Sequence, residues 1–403
     1  MRRRRILLVI PALSQGGAER QLLELGRRLL PRFDVTLCTF FEDGHYARQV
    51  HPDIKQVDLG LRVEGRRRAF GRLVALLEND PPDLVQSFMD QANLWVRLAA
   101  LCAGPTPPPI VTSVRGPWMS PKYSILEGLL STEVGRAVIV NSKSTGRELL
   151  DWVGVPRDRL RVVHNFVDFD VFQPRGPEAR ARARRELGLA DDALVLLVSG
   201  RLSPQKHHLG LALALGRLRR QGRLPENLVL LFAGRPRDRW YARLVPPAMR
   251  RAGVASQVRA LGVVSVEEVP RLYAASDVLL LPSLWEGLAN VALEAQACGL
   301  PVVASDKANV DDIVAHGETG LVAPLTLGMR PYAEALGQML ALSPEARAAM
   351  GQKARERVRR LFDPDRALQS FLGIYDAVLA NRPLPALGPS LAADNAAPEP
   401  ESV

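Results

Sequence analysis

Two carboxylates separated by seven residues, Glu286 and Glu294, are the side chains in this chain best placed to do chemistry together. They lie in Ser283-Leu-Trp-Glu286-Gly-Leu-Ala-Asn-Val-Ala-Leu-Glu294-Ala-Gln-Ala-Cys-Gly, between apolar runs at 277–282 and 301–304. Residues 290–297 read as a short helix whose N-terminus faces the carboxyl end of the preceding strand. Open α/β sheets hold their ligands at that end, because loops and helix N-termini converge there. Eight helical residues rise about 12 Å at most, so one nucleotide-sized ligand could touch both carboxylates. The first could reach distal hydroxyls and the second a diol such as a ribose. An exposed glutamate followed by a helix-surface glutamate has the same spacing, and periodicity does not choose between the readings.

A second set of groups follows an earlier strand pattern, in Ser199-Gly200-Arg201-Leu-Ser-Pro-Gln-Lys206-His207-His208. Glycine permits a close turn, and Arg201 and Lys206 add two fixed positive charges at a strand's carboxyl end. A diphosphate leaving group needs such neutralisation as its bond to the transferred group breaks. A solvated loop would carry the same residues. Gly16-Gly17, between the first strand pattern and the first helical one, could bring backbone amides near a phosphate, or serve turn geometry alone. Leu261-Gly262 ends another strand. No D-x-D-like acidic motif stands where a metal would be needed, the six histidines lack metal-ligand spacing, and no metal is expected. His207-His208 reads as a feature of the loop.

Taken in order, these motifs resemble the retaining glycosyltransferases of family 4, with their E-x7-E signature and GT-B fold, over roughly residues 5 to 380. The resemblance implies that Arg201 and Lys206 bind the donor pyrophosphate and that the Gly16-Gly17 loop closes on it from the first domain. Glu286 would contact hydroxyls of the transferred sugar and help stabilise developing oxocarbenium charge. It makes Glu286, Arg201 and Lys206 the expected catalytic residues. Glu294 would bind the ribose, the amides of Leu288, Ala289 and Asn290 the sugar and distal phosphate, and Leu261-Gly262 the base. The expected co-substrate is a nucleotide diphosphate sugar, UDP-hexose or UDP-N-acetylhexosamine, with no further cofactor. The expected acceptor is a glycan or lipid-linked glycan of bacterial cell-surface polysaccharide or lipopolysaccharide synthesis.

Three segments depart from the family pattern. A His-Gly pair is frequent after the fourth strand of the first domain; here Arg115-Gly116 stands there. Arginine stays protonated and does not serve as a base, so Arg115 is expected to bind an anionic group of the acceptor. Phe166 replaces a frequent glycine in Asn165-Phe-Val-Asp168, and residues 305–312 lack the common Gly-Gly-Pro-Glu run.

The elements that must position these groups alternate as βα units. Strand patterns fall at 6–10, 35–40, 84–87, 110–113, 137–141 and 161–164, and again at 194–199, 228–233, 258–261, 278–281, 302–304 and 320–322. Such alternation predicts mostly parallel sheets covered by helices. The expected fold class is therefore α/β, and by resemblance GT-B: two Rossmann-like parallel-sheet domains facing a central cleft, with a C-terminal helix crossing back. The expected divisions are an acceptor-binding domain at 1–168, a linker at 169–190 holding a helix at 177–187, and a nucleotide-sugar domain at 191–365. A crossover helix at 366–380 and a disordered tail at 381–403, rich in Pro, Ala and acidic residues, complete the chain.

At 403 residues, 47% hydrophobic, the chain is long enough for two cores. Three scattered cysteines, Cys38, Cys102 and Cys298, read as buried small hydrophobes in a reducing compartment rather than as a disulfide or zinc framework. No apolar run of about 18 residues suggests a spanning helix, and no small-residue cleavage site follows the basic, apolar start. The expectation is a cytoplasmic protein. The net charge of +10 is uneven: residues 1–165 hold 24 Lys+Arg against 17 Asp+Glu, the remainder 29 against 26. No nucleic-acid motif accompanies this excess, so an anionic membrane or a phosphate-bearing acceptor suits it better, with peripheral contact at the inner membrane face. The run at 66–77, arginines followed by apolar residues at helical spacing, fits a membrane-surface helix or an ordinary one packed on its own sheet. Two rivals stand beside the transferase: a nucleotide-sugar epimerase of GT-B fold, and a non-catalytic protein that grips an anionic ligand or membrane.

Overall fold

The computed structural model describes residues 2–41, 44–116, 121–265, 267–308, 310 and 312–386, and for 121–124 the backbone only. The chain divides into two compact units, the first comprising residues up to Phe166 together with those from Asp365 onward, the second Val167–Pro364.

The first unit runs β1 (Arg4–Ile10), α1 (Gly17–Leu29), β2 (Phe33–Thr39), β3 (Lys55–Asp58), α2 (Leu61–Glu78), β4 (Leu84–Phe88), α3 (Asp90–Cys102), β5 (Ile110–Val114), α4 (Pro121–Glu133), β6 (Ala137–Val140), α5 (Lys143–Glu148) and β7 (Leu160–Val162). Its seven strands pair in the order β3-β2-β1-β4-β5-β6-β7, all parallel. Strands buried on both faces read as continuous Val/Ile/Leu runs rather than alternations, as in Ile6-Leu-Leu-Val-Ile10. Leu7, Val9 and Val85 pack under α2 and α3, with Leu73, Leu77, Val96 and Ala100. β3 has no counterpart among the strand patterns: Lys-Gln-Val-Asp is short, polar and half exposed, as an edge strand is.

The second unit runs α6 (Pro177–Glu186), β8 (Leu194–Ser199), α7 (His208–Arg220), β9 (Leu228–Ala233), α8 (Arg239–Arg251), β10 (Val258–Gly262), α9 (Val269–Ala275), β11 (Val278–Leu281), α10 (Asn290–Ala297), β12 (Val302–Ser305), β13 (Gly320–Ala323), α11 (Arg330–Ala341) and α12 (Pro344–Leu361). Its parallel strands pair in the order β10-β9-β8-β11-β12-β13. Successive side chains of a strand go to opposite faces. Val195, Leu197, Leu279 and Leu281 enter one core layer, and Leu194, Leu196, Val198, Val278 and Leu280 the other. The expected α/β class with two parallel-sheet, Rossmann-like units is what the chain adopts.

Two stretches behave differently from their composition. Residues 169–190 belong to the second unit: Phe172, Ala183 and Leu189 join its core, and α6 is clamped where β11 begins. Arg180 and Arg184 donate to the two oxygens of Asp277, at 2.5 and 3.0 Å, and Asp277 Oδ2 also accepts from the Val195 amide at 2.7 Å. An Arg-rich helix looks like a linker only until its partners are known.

The last helix, α13 (Pro364–Leu379), packs on the first sheet. Tyr375 meets Phe33 edge to face at 6.2 Å and donates to Gln86 Oε1 at 3.1 Å, while Arg28 pairs with Asp365 at 2.8 Å. Of the expected tail at 381–403, residues 387–403 lie outside the described residues. Its beginning is held by Arg161, which donates to the carbonyls of Leu384, at 3.1 Å, and Pro385.

Candidate active site

In the second sheet the strand order reverses between β8 and β11, which are direct neighbours while their connections run to opposite sides. Loops leaving the carboxyl ends of such a pair diverge and open a crevice. Arg201 and Lys206 follow β8, and Glu286, Leu288, Ala289 and Asn290 follow β11.

The β8 loop is shaped by glycines. Gly200 N donates to Ala233 O at 2.8 Å, Leu202 N to Arg235 O at 2.9 Å, and Gly234 N to Gly262 O at 2.7 Å, tying together the ends of β8, β9 and β10. A Cβ on Gly234 would lie 1.9 Å from the Gly200 carbonyl oxygen, so this approach requires glycine. Gly262 itself turns at φ +70°. Leu261 is half-buried against the core.

Lys206 and Glu286 meet directly. The ammonium lies 2.6 Å from Glu286 Oε1, both side chains nearly covered at 13% and 10% exposure. Ser283 donates to the same oxygen at 2.8 Å and Gln205 to Oε2 at 3.3 Å. Gln205 also donates to Trp285 O at 3.1 Å and accepts from the Leu284 amide at 2.8 Å, and Ser305 Oγ donates to Ser283 O at 2.5 Å. The β8 and β11 loops are thus held as one piece, with one carboxylate fixed by three donors. Charge-assisted bonds of this kind are the stronger ones, and partial burial raises their worth. Arg201 is half-buried in the same loop and is engaged by neighbours.

Glu294 lies inside α10, nearly covered, and accepts from the Tyr273 hydroxyl of α9 at 2.9 Å. Leu288 and Ala289 are buried among the core side chains, so backbone groups are what they can offer a ligand. The N-cap residue of α10, Ala289, has no polar side chain to cap the helix, and the positive end of the helix dipole lies there. Among the described residues no group of His, Cys, Asp and Glu could hold a metal ion.

Gly16, Gly17 and Arg115 stand in the first unit. Gly16 caps α1 in an extended conformation beside a Ser14–Glu19 hydrogen bond. Arg115 follows β5; its guanidinium lies 4.1 Å over the Phe88 ring and donates to Asn165 Oδ1 at 2.8 Å, while Nε has no partner among the described residues. Burial lowers its pKa to about 9, which leaves it cationic at neutral pH. Phe166, in place of glycine, is buried, and its backbone exchanges two hydrogen bonds with the Gln21 side chain of α1, at 2.8 and 3.0 Å.

Several groups in these places carry no distinctive sequence signal. Ser283 stands three residues before Glu286, the spacing of a side chain that braces its own turn. Gln205 sits beside Lys206. Tyr273 lies 21 residues before Glu294 and becomes its partner only through the packing of α9 on α10. Asp90, the first residue of α3, has its pKa raised to about 6, first by burial and then by Glu127; the residue before it, Met89, is held at φ +76°. His208 is not a loop feature but the first residue of α7. It is fully buried, at 5.1 Å from the Phe232 ring, because the loop closes at His207. Of the three cysteines, Cys38 and Cys298 are buried but Cys102, at the end of α3, is exposed.

Comparison with known proteins agrees with this architecture. Residues 179–357 match the family described as Glycosyl transferases group 1, and residues 15–171 match Glycosyltransferase Family 4. The D-inositol 3-phosphate glycosyltransferase of Saccharomonospora viridis is 34% identical over 288 residues, 71% of this chain and 63% of that protein. The enzyme of the same name from Acidothermus cellulolyticus is 34% identical over 253 residues, 61% of this chain and 54% of that one. The chain thus spans little more than half to under two thirds of the length of these relatives. Among solved structures, Anabaena HepE with UDP and glucose superposes with a TM-score of 0.78 at 21% identity, covering 92% of this chain and 98% of that one. A Rickettsia africae glycosyltransferase reaches 0.81 at 19% identity, covering 94% and 100%. At these identities the likeness is one of fold.

Proposed function

We propose that this chain, which carries a glycosyltransferase family 4 domain followed by a group 1 domain, is a retaining, metal-independent glycosyltransferase. Its donor is a nucleotide diphosphate sugar, UDP-hexose or UDP-N-acetylhexosamine, and its acceptor a glycan or lipid-linked glycan of cell-surface polysaccharide synthesis. The observation that carries this reading is the Lys206–Glu286 pair, fixed at 2.6 Å beside Arg201 where the second sheet's strand order reverses. It sets a cation for a leaving diphosphate next to a carboxylate for a sugar.

In the reaction, the bond from the sugar's anomeric carbon to the diphosphate oxygen breaks, and the acceptor oxygen bonds to that carbon from the same face. The acceptor proton passes to the departing phosphate oxygen, so no protein base is required, in keeping with arginine at position 115. Arg201 and Lys206 offset the charge that builds on the diphosphate. Glu286 accepts from sugar hydroxyls and stabilises the positive anomeric centre, Glu294 holds the ribose diol, and the start of α10 receives the distal phosphate. Arg115 serves an anionic group of the acceptor. The name of the relatives, D-inositol 3-phosphate glycosyltransferase, adds a phosphorylated polyol to the acceptors worth testing.

The deciding experiment is thermal-shift titration with UDP, GDP and ADP, without added metal, on the wild type and on Arg201→Ala/Lys206→Ala. A rise in Tm with one nucleotide, lost in the double variant, supports the donor site and selects the sugars to try. Product formation followed by NMR then reads the anomeric configuration. No shift with any nucleotide at millimolar concentration sinks the assignment.

A further inference from the structure

The face of the first sheet that α2 covers changes character along its strands. Leu7 and Val9 of β1 and Cys38 of β2 lie in the core with Leu73 and Leu77 of α2. Residues two apart on a strand share a face, so Arg5, Asp34 and Thr36 continue that same face toward the amino ends. The register sets Arg5 beside Asp34, and Thr36 between Leu7 and Lys55 of β3. A parallel sheet covered by helices is normally apolar on both faces. Here the polar rows lie past the end of α2, with Thr36 half-buried and Asp34 and Lys55 exposed. They floor a cavity of about 630 Å³, walled by Leu76 and Pro82, from the end of α2 and the turn after it, and by Leu30 and Pro31, from the turn after α1. That volume is within the range of small-molecule sites.

Ion pairs on the rim hold this groove in shape. Arg5 pairs with Asp80 and donates to Pro81 O at 2.5 Å, which ties the turn after α2 to β1. Arg3 lies 3.7 Å from Asp34 and donates to Leu30 O, which ties the turn after α1 to the same strand. On the floor, Thr36 and Lys55 stand side by side and enter no hydrogen bond or ion pair among the described residues. Charge selects the occupant. The lining sets Arg3, Arg5 and Lys55 against Asp34, Asp53 and Asp80, three cations and three carboxylates. An entering anion meets the carboxylates, and an entering cation meets the arginines and the lysine. A neutral ligand rich in hydroxyls donates to the first set and accepts from the second, while its C–H faces lie on Val57, Leu76 and Pro82. Strands about 4.8 Å apart lay these donors and acceptors out as an array, which suits a run of hydroxyls better than one charged atom.

We infer that the groove at the amino ends of β1, β2 and β3 is a second carbohydrate site, which takes a neutral oligosaccharide on Thr36 and Lys55. It lies at the opposite end of the sheet from the Gly16-Gly17 loop and Arg115. From Arg4 to Ile10, β1 alone rises roughly 20 Å between the two ends. The groove holds its ligand without transferring anything, and its chemistry does not depend on the donor site. A glycan bound there is kept at a raised local concentration beside the same molecule.

The test is saturation-transfer NMR of the full chain with maltotriose, mannotriose and chitotriose, each at millimolar concentration and with no nucleotide present. Failure here is therefore separate from failure of the transferase reading. At least one trisaccharide should bind, with a Kd that holds from low to high salt because the ligand carries no charge to screen. Hydrogen exchange should slow in residues 33–36 and 55–58 when it does. Thr36→Val/Lys55→Met keeps the shape of both side chains and should raise the Kd on the order of 30-fold, the worth of two hydrogen bonds. Val57→Trp, which fills the cavity, should abolish binding. An unchanged Tm confirms that each variant folds. Absence of transfer to all three sugars, or binding that survives both variants, overturns the inference. So does tighter binding of a sulfated heparin disaccharide that weakens as salt rises, since the groove would then be an anion site.

Discussion

The hydroxyl of Tyr273 lies 2.9 Å from Glu294 Oε2, with both side chains buried between α9 and α10. The bond engages one carboxylate oxygen and fixes the plane of the group, leaving its orientation toward a diol independent of the ligand. Tyr273 is therefore a positioning residue for the proposed ribose contact. Tyr273→Phe keeps the ring packing against Phe172, 6.2 Å away, and removes only the donor. It should cost about 2 kcal/mol of stability, the worth of a hydrogen bond to a charged group. It should also weaken nucleotide binding several-fold. Calorimetric titration with UDP checks this, and an unchanged Kd alongside a lowered Tm would reduce Tyr273 to a stability role.

The Lys206–Glu286 pair separates charge from chemistry. Breaking a largely buried pair from one side strands the other charge, at about 3 kcal/mol. Lys206→Met and Glu286→Gln should each destabilise the second unit measurably in urea melts. The double variant should recover most of the loss, because neither charge is then stranded. Activity should not recover. A double-mutant cycle reads both, and additive stability losses would show that the two side chains do not depend on each other.

Much of this arrangement is visible in the sequence, for reasons that differ by residue. Parallel strands buried on both faces leave continuous apolar runs, so β1, β8 and β11 announce themselves, and with them the loops holding Gly16, Arg201 and Glu286. β3 does not, because an edge strand needs no apolar signature. Residues 169–190 look like a linker because arginine-rich helices resemble solvated ones. Only Asp277, about a hundred residues downstream, shows that Arg180 and Arg184 are anchors. Tyr273 and Gln205 carry ordinary residue types at uninformative spacings, and their roles arise from tertiary contacts across the β8, β11 and α10 region. Exposure is the least legible property. The periodicity of α2 predicts an amphipathic helix, yet which helices leave apolar side chains facing outward depends on what their neighbours cover.

Gly234 tests whether the loop after β8 depends on backbone contact. Its φ of +151° is uncommon for residues with side chains, and an added Cβ would lie 1.9 Å from Gly200 O. The opposing group is backbone in a strand end and has no rotamer through which to yield. Gly234→Ala should therefore displace the Gly200-Arg201 turn and cost about 3 kcal/mol or more. Gly222→Ala, also at positive φ (+67°) but with nothing within 4 Å of an added Cβ, is the control and should cost about 1 kcal/mol. Equal losses in thermal melts would mean that φ alone, and not the approach to Gly200, decides the effect.

His208 sets an acid limit on the second unit. It is buried against Phe232 and Tyr241, and neither ring nitrogen has a partner among the described residues. Burial first, then the charges of Lys206 and His207, lower its pKa from 6.5 to about 4. The folded protein therefore holds a neutral ring where the unfolded chain takes up a proton. Above pH 6.5 neither state is protonated at this residue, and its full contribution is present. As the pH falls from 6.5 toward 4, the unfolded state is stabilised by protonation and the fold loses up to about 3 kcal/mol from this group alone. His208→Leu removes the titration without leaving a polar atom unsatisfied, so it should match or exceed wild-type stability at pH 7.5 and flatten the decline between pH 6.5 and 4.5. Urea melts across that range check it; parallel declines in the two proteins would place the acid sensitivity elsewhere.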